Sequence, residues 1–511
     1  MTFDKKFNPD ELKSFLKDKY GPGVQVKILP KSDEDSVDEG EDIAQKRGQA
    51  LRFDYKPSQI KEYLDRYVIQ QDDAKKVLAT AICDHYHHIQ SCEGKEDCQD
   101  YKKQNIILIG PTGVGKTYLV QNIARLIGVP FVKADATKYS ETGYVGGDVE
   151  DLVRELVHQA DGDVQLGECG IVYLDEIDKI ATHTGGMGRD VSGHGVQRGL
   201  LKLMEETEVP LRSPSDIASQ MQAFMEFQSK GELEKKTIST KHILFIVSGA
   251  FTGLSELIEK RLGANQIGFT GAEDSSAEQE HYLYEKIKSV DFIEYGFEAE
   301  FIGRLPVAVH CNSLSIKDLF KILKHSEGSL LKQYKKDFLA YDIDVYFTDD
   351  GMKSLAEEAA TEKTGARGLM TVCERIFREY KYQLPDHDVE EFIVGPEMVK
   401  NPASKLASLL DDPAQYRSKI MEFQLGKIEQ ELSEEYGISI AFTPEASQLI
   451  VEKAQAMDTD LFSCSVDLLK EFEHGLNLLR KNSQKKQFLI DGDFVRDPAA
   501  TVERWIRETY Q

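Results

Sequence analysis

No two cysteines of this 511-residue chain stand in a CxxC pair. The seven present, Cys83, Cys92, Cys98, Cys169, Cys311, Cys373 and Cys464, are odd in number and scattered. That pattern predicts reduced thiols and excludes both a disulfide framework and a structural zinc site. Apolar runs near the ~20 residues that a spanning helix needs are absent. The opening MTFDKKFNPDELKSF lacks the apolar stretch of a secretory signal. A cytoplasmic setting without a membrane partner is the expectation. Basic charge is also scarce, with 63 Lys and Arg against 88 Asp and Glu, a formal net charge of −25. An acidic surface repels phosphate backbones, which disfavours a nucleic-acid partner.

What is present is enough apolar material, 41% of residues, for several cores, and a length that suggests about three domains. Residues 1–50 hold a short helical pattern from Pro9 to Tyr20, a strand-like VQVKIL, and the acidic stretch SDEDSVDEGED, which has too few apolar groups to offset ordering entropy. From Pro57 a dense helical pattern begins. Short apolar runs at Ile106–Ile109, Ile171–Leu174 and Ile243–Val247 alternate with helical segments. This alternation predicts an α/β fold, a parallel sheet covered by helices on both faces. After Cys311 the pattern becomes mainly helical. The expected division is an N-terminal module at 1–50, a large α/β domain at 51–313, a small helical domain at 314–402 and a further module at 403–511. That last module reads as a repeat of the small domain. YDIDVYFTDDGMKSLAEEA from Tyr341 lines up with YGISIAFTPEASQLIVEKA from Tyr436, and FIVGPEMVKNP from Phe392 with FLIDGDFVRDP from Phe488.

GPTGVGKT, Gly110 to Thr117, fits G-x-x-x-x-G-K-[ST] and lies between an apolar strand and a helix. Gly110, Pro111, Thr112, Gly113, Val114, Gly115, Lys116, Thr117 and the adjoining Tyr118 form the candidate phosphate-binding stretch. Its glycines let backbone N–H groups curl round phosphate oxygens, and the helix N-terminus adds its positive dipole end. Lys116 is expected to reach the β- and γ-phosphates, and Thr117 to hold Mg²⁺. IVYLDEIDK, Ile171 to Lys179, is a buried strand ending in adjacent carboxylates. A strand of this kind delivers Asp175 to the metal and Glu176 to the attacking water as general base. The two motifs together predict hydrolysis of ATP.

These residues resemble the AAA+ module of the ClpX family of protein unfoldases, from about Pro57 to Pro402. The resemblance implies a P-loop AAA+ large domain and a mainly helical small domain. YLDRYVIQQDDAKKVLA, from Tyr63, is similar to the segment beside the adenine, where Val68 and Ile69 would line the base pocket; the family usually has Gly where Gln70 stands. GYVGGDVE, from Gly143, resembles the pore loop, whose aromatic–aliphatic pair would be Tyr144 and Val145, gripping a translocating polypeptide. RDVSGHGVQRGLLKLME, from Arg189, resembles the second pore loop, with His194 in place of a Glu and more apt as a surface residue than a ligand. EAEFIGRLPV resembles the arginine-finger segment, so that Arg304 would reach a neighbour's γ-phosphate in a homohexameric ring. TGARGL resembles the sensor-2 motif, with Arg367 touching the nucleotide in cis. In QIGFTG, Ile267, Gly268 and Phe269 resemble the tripeptide that docks on the ClpP peptidase.

Two departures stand out against the family: the amino-terminal zinc module is lacking, and the C-terminal repeat is additional, with Phe462 where the first copy has Arg367. Ser213 to Lys236 reads as a polar surface insertion. The implied function is an ATP-dependent unfoldase that acts on protein substrates and feeds a ClpP-like peptidase. The alternatives are a stand-alone remodelling ATPase and, disfavoured by the acidic balance, a nucleic-acid motor.

Overall fold

The computed structural model describes residues 53–92, 102–139, 147–181, 191–211, 236–263, 282–436, 439–457, 461–470 and 487–510. The expectations for 1–50, for Tyr144 and Val145, for Ile267 to Phe269 and for the insertion at 213–236 lie largely or wholly outside them.

Helix α1, Pro57–Tyr67, opens on a proline at its first position, where the missing N–H is no loss. Gln59 accepts from the backbone N–H of Lys56 at 2.9 Å and closes the helix start. Helix α2, Asp72–Cys92, follows after a tight turn. Next come strand β1, Ile106–Ile109, helix α3, Lys116–Ile127, and strand β2, Phe131–Asp135. Strand β3, Ile171–Asp175, and helix α4, Val191–Met204, lead to a short antiparallel pair, β4, Glu208–Pro210, with β5, Thr237–Ser239. Strands β6, Leu244–Gly249, and β7, Val307–His310, complete the large sheet.

That sheet has five strands in the order β2-β3-β6-β1-β7, and all of its pairings are parallel. Alternate side chains enter opposite cores, as a period of two requires. Ile107, Ile109, Val172, Leu174 and Phe245 face one core; Ile106, Leu108, Ile171, Tyr173 and Ile246 face the other. Both faces are therefore covered, which is why these strands read as unbroken apolar runs. The run expected at Ile243–Val247 forms a strand that starts one residue later and extends through Ser248 to Gly249.

A third core runs from Leu319 to Leu409. It includes α5, Asp349–Thr361, and α6, Ala366–Gln383, beside a parallel pair of strands, β8, Asp344–Phe347, and β9, Glu391–Val394. A fourth core, Leu425 to Val502, holds another parallel pair, β10, Ser439–Phe442, with β11, Gln487–Ile490. The long helix α7, Pro413–Tyr436, joins the two, with Tyr416 against the third core and Leu425 within the fourth.

Among the described residues no helix is long and apolar enough to cross a membrane. Cys83, Cys169, Cys311, Cys373 and Cys464 are free thiols. Cys92 is disulfide-bonded, contrary to the expectation from spacing, since spacing along a chain does not set the Cα separation that a bridge needs.

Candidate nucleotide site

The phosphate-loop stretch sits at the C-terminal end of β1, central in the sheet, and runs into the N-terminus of α3. Gly113 has φ +76°, and a Cβ there would fall 2.0 Å from the carbonyl oxygen of Thr364. Only glycine meets both demands. The same residue's carbonyl accepts from Ala366 N at 2.9 Å, so the loop is fastened to the first turn of α6, next to Arg367. Lys116 is buried, and its Nζ donates to the loop's own carbonyls, Gly110 O at 2.6 Å and Pro111 O at 2.9 Å. Desolvation pulls its pKa down from the usual lysine range.

Beneath the loop, four polar side chains from three elements form a closed network. Thr117 Oγ1 lies 3.3 Å from Asp175 Oδ2 and 3.1 Å from the Tyr173 hydroxyl. Tyr173 shares a 2.7 Å hydrogen bond with Ser248 Oγ, which donates to Asp175 Oδ1 at 2.6 Å. Burial, then Asp175, pushes the Tyr173 phenol above its ordinary pKa, so it stays a neutral donor. Sequence reasoning missed Tyr173 and Ser248. The available signals were a polar-tipped residue inside IVYLD and a serine ending the apolar run at 243–247.

Glu176 follows with an exposed side chain and a left-handed backbone, φ 57°, ψ 34°. For a non-glycine residue that conformation is strained, and such strain gathers at functional sites. A cavity of about 550 Å³ is lined by Thr112, Lys116, Thr117, Asp175, Glu176 and Arg367. On the other side of the loop, Val68 is buried with a methyl 3.9 Å from where a Cβ on Gly115 would stand, and the half-buried Ile69 follows it. Tyr118 is half-buried and reaches toward Gly328.

Arg304 is not in this cavity. It ends the short helix Ala299–Gly303, pairs with Glu205 at 2.5 Å, and lines a second cavity of about 620 Å³ with Asn105, Lys103 and His242. Asn105 precedes β1, whereas the phosphate loop follows it, so the two arginines lie toward opposite ends of that strand. His194 pairs with Glu298, Nδ1 to Oε1 at 2.9 Å. A Glu at that position, as the family has, would face a like charge. Tyr139 and Gly147, on either side of the stretch that holds Tyr144 and Val145, form a parallel bridge.

The site can accept ATP with a divalent metal ion. Among the described residues no cluster of three His, Cys, Asp or Glu side chains is placed to hold a metal alone. The Thr117–Asp175 pair suits an ion that brings phosphate and water as its other ligands. Lys116 already spends its ammonium protons on carbonyl oxygens, the acceptor type that phosphates would replace.

Phosphate loop, acid-tipped β3 and parallel sheet together define a P-loop ATPase of the AAA class. In agreement, the family described as AAA domain (Cdc48 subfamily) matches residues 101–308. The ATP-dependent Clp protease ATP-binding subunit ClpX of Borrelia duttonii (strain Ly) is 40% identical over 350 residues, covering 68% of this chain and 78% of the relative. The same-named protein of Borrelia recurrentis (strain A1) matches equally. That of Treponema denticola is 37% identical over 362 residues, 70% of this chain and 84% of the relative. The chain belongs to the ClpX family of AAA+ ATPases.

Proposed function

We propose that this chain is an ATP-driven protein unfoldase and translocase that forms a homohexameric ring in the cytoplasm and delivers protein substrates to a ClpP-like peptidase. The observation that carries it is the convergence of Lys116, Thr117, Asp175, Glu176 and Arg367 on one cavity in a chain of this family.

In this reading the backbone from Gly110 to Tyr118 cradles the phosphates, and Val68 and Ile69 take the adenine. Lys116 exchanges carbonyl oxygens for β- and γ-phosphate oxygens, whose charge offsets the desolvation of its ammonium group. Thr117 and Asp175 hold Mg²⁺, which when bound neutralises charge on the phosphates. Tyr173 and Ser248 keep those two side chains oriented. Glu176 removes a proton from the attacking water. Arg367 contacts the nucleotide in cis. Arg304, toward the other end of β1, serves the nucleotide of a neighbour, which calls for a ring. Tyr144 and Val145 grip the threaded polypeptide, and Ile267, Gly268 and Phe269 dock on the peptidase.

The C-terminal unit is proposed as a second copy of the small domain. Thr348 N bonds to Val394 O at 3.2 Å and Thr443 N to Ile490 O at 2.9 Å; each threonine hydroxyl also accepts from the N–H three residues on. These matched contacts support the reading.

The test is a folded, tagged fluorescent protein incubated with the chain and ATP, with and without a ClpP-type peptidase. Fluorescence should fall, and the product should be degraded only when the peptidase is present. Glu176→Gln should bind ATP as before and lose turnover by about 10² or more. Normal hydrolysis by that variant removes Glu176 from its role. Unfolding without degradation would favour a stand-alone remodelling ATPase.

A further inference from the structure

Asn105 is 1% exposed and uses both ends of its amide. Its Nδ2 donates to the backbone oxygen of Arg304 at 2.9 Å, and its Oδ1 accepts from Phe245 N at 3.1 Å. Its own carbonyl accepts from Val307 N at 3.4 Å. One residue thus clamps the entry of β1 to β6 and to the turn that carries Arg304. The guanidinium itself is held differently. It is 51% exposed and pairs with a Glu205 that is 45% exposed. Exposed pairs of this kind hold a side chain only weakly, so it can change partners readily. What fixes the point from which Arg304 reaches is its backbone anchor.

The far end of β1 carries the phosphate loop. There Gly110 N bonds to Gly249 O, and Gly110 O receives Lys116 Nζ. The four residues between span about 13 Å and are fully buried with neighbours on both sides, so a shift at one end is not absorbed by solvent-facing slack.

We propose that Asn105 is a positioning residue for hydrolysis in the adjacent subunit: it ties the arginine offered to that subunit to the strand that bears its own subunit's phosphate loop. The finger of each subunit is thereby coupled to that subunit's own nucleotide. This rests on the in-trans reading of Arg304 given above.

The experiment compares Asn105→Ala, Asn105→Asp and Arg304→Ala in the full-length chain. Each alone should lose about tenfold or more in kcat while affinity for a fluorescent ATP analogue stays within about twofold, because the cis phosphate loop is intact. Mixed with Glu176→Gln subunits, which cannot turn over but present a normal Arg304, each should regain several-fold activity over either parent. A merely structural defect would not be complemented in this way. Asn105→Asp keeps an acceptor for Phe245 N but sets a buried carboxylate oxygen against Arg304 O in place of the donor, so it breaks the same link by repulsion; urea midpoints of both variants are read beside kcat, and the complementation is run where both are folded. Failure of Arg304→Ala to be complemented overturns the in-trans reading itself. Complementation of Arg304→Ala but not of the Asn105 variants overturns the role of Asn105, as does wild-type kcat in Asn105→Asp.

Discussion

Gln70 and Gln71 hold nearly the same backbone, φ 60° and 63°, yet their side chains do different things. Gln71 is 2% exposed, donates to Asn312 O at 2.8 Å and accepts from Asn312 N at 2.7 Å, which pins the chain just after β7 to the turn between α1 and α2. Gln70 is half-buried, and its amide N–H groups donate over longer distances, to Asp318 Oδ2 and Ser313 O, both at 3.3 Å. Left-handed backbone costs a side-chain-bearing residue about 1–2 kcal/mol, which explains why the family places Gly at this turn. Gln70→Gly should therefore stabilise the chain slightly, by about 0.5 kcal/mol after the unfolded-state entropy of glycine is counted. Gln71→Gly should destabilise it by about 2 kcal/mol through its two buried hydrogen bonds. Urea midpoints of the two variants should move in opposite directions; equal shifts would mean that backbone strain alone governs the turn. The resemblance points to this turn, but only the tertiary contacts separate the two glutamines.

Helix α2 illustrates packing at the scale of an element. Tyr86 sends its hydroxyl to Cys169 O at 2.9 Å, and His85 Nε2 lies 2.9 Å from His242 O, so one turn of the helix locks onto the starts of β3 and β6. Burial drives the His85 pKa down to about 3, and burial followed by Lys241 brings His242 down to about 4. Both imidazoles are neutral in the fold. The unfolded chain takes up protons near 6.5, the folded chain only near 3 to 4, so stability is complete above pH 6.5 and is lost as pH falls through that window. Denaturation midpoints should drop between pH 6.5 and 4, and His85→Gln, whose amide can still donate to His242 O, should flatten the drop. An unchanged acid limb in that variant would assign the loss to other groups. The helical periodicity announces α2 in the sequence; nothing in it says that a histidine faces backbone rather than water.

At the scale of the molecule, the two arginines line separate cavities. Arg367 lines the cavity of its own phosphate loop, while Arg304 lies toward the opposite end of β1. If a ring forms, hydrolysis and grip are separate functions of separate residues. Tyr144→Ala should then hydrolyse ATP at a rate within about twofold of the parent and fail to unfold a folded client. Parallel loss of both activities would place Tyr144 in the nucleotide cycle instead of on the substrate path.

The sequence by itself determined the phosphate loop, the acid-tipped strand and the parallel α/β plan. Each of these is local: glycines where backbone must approach phosphate, and apolar runs of four or five residues, the length and composition of strands buried on both faces. Tertiary structure alone decided that Tyr173 and Ser248 join Thr117 to Asp175, that Asn105 holds Arg304, and that Arg304 stands away from its own nucleotide cavity. Those relations depend on the strand order β2-β3-β6-β1-β7, which arises from how crossover helices pack and leaves no periodic trace along the chain.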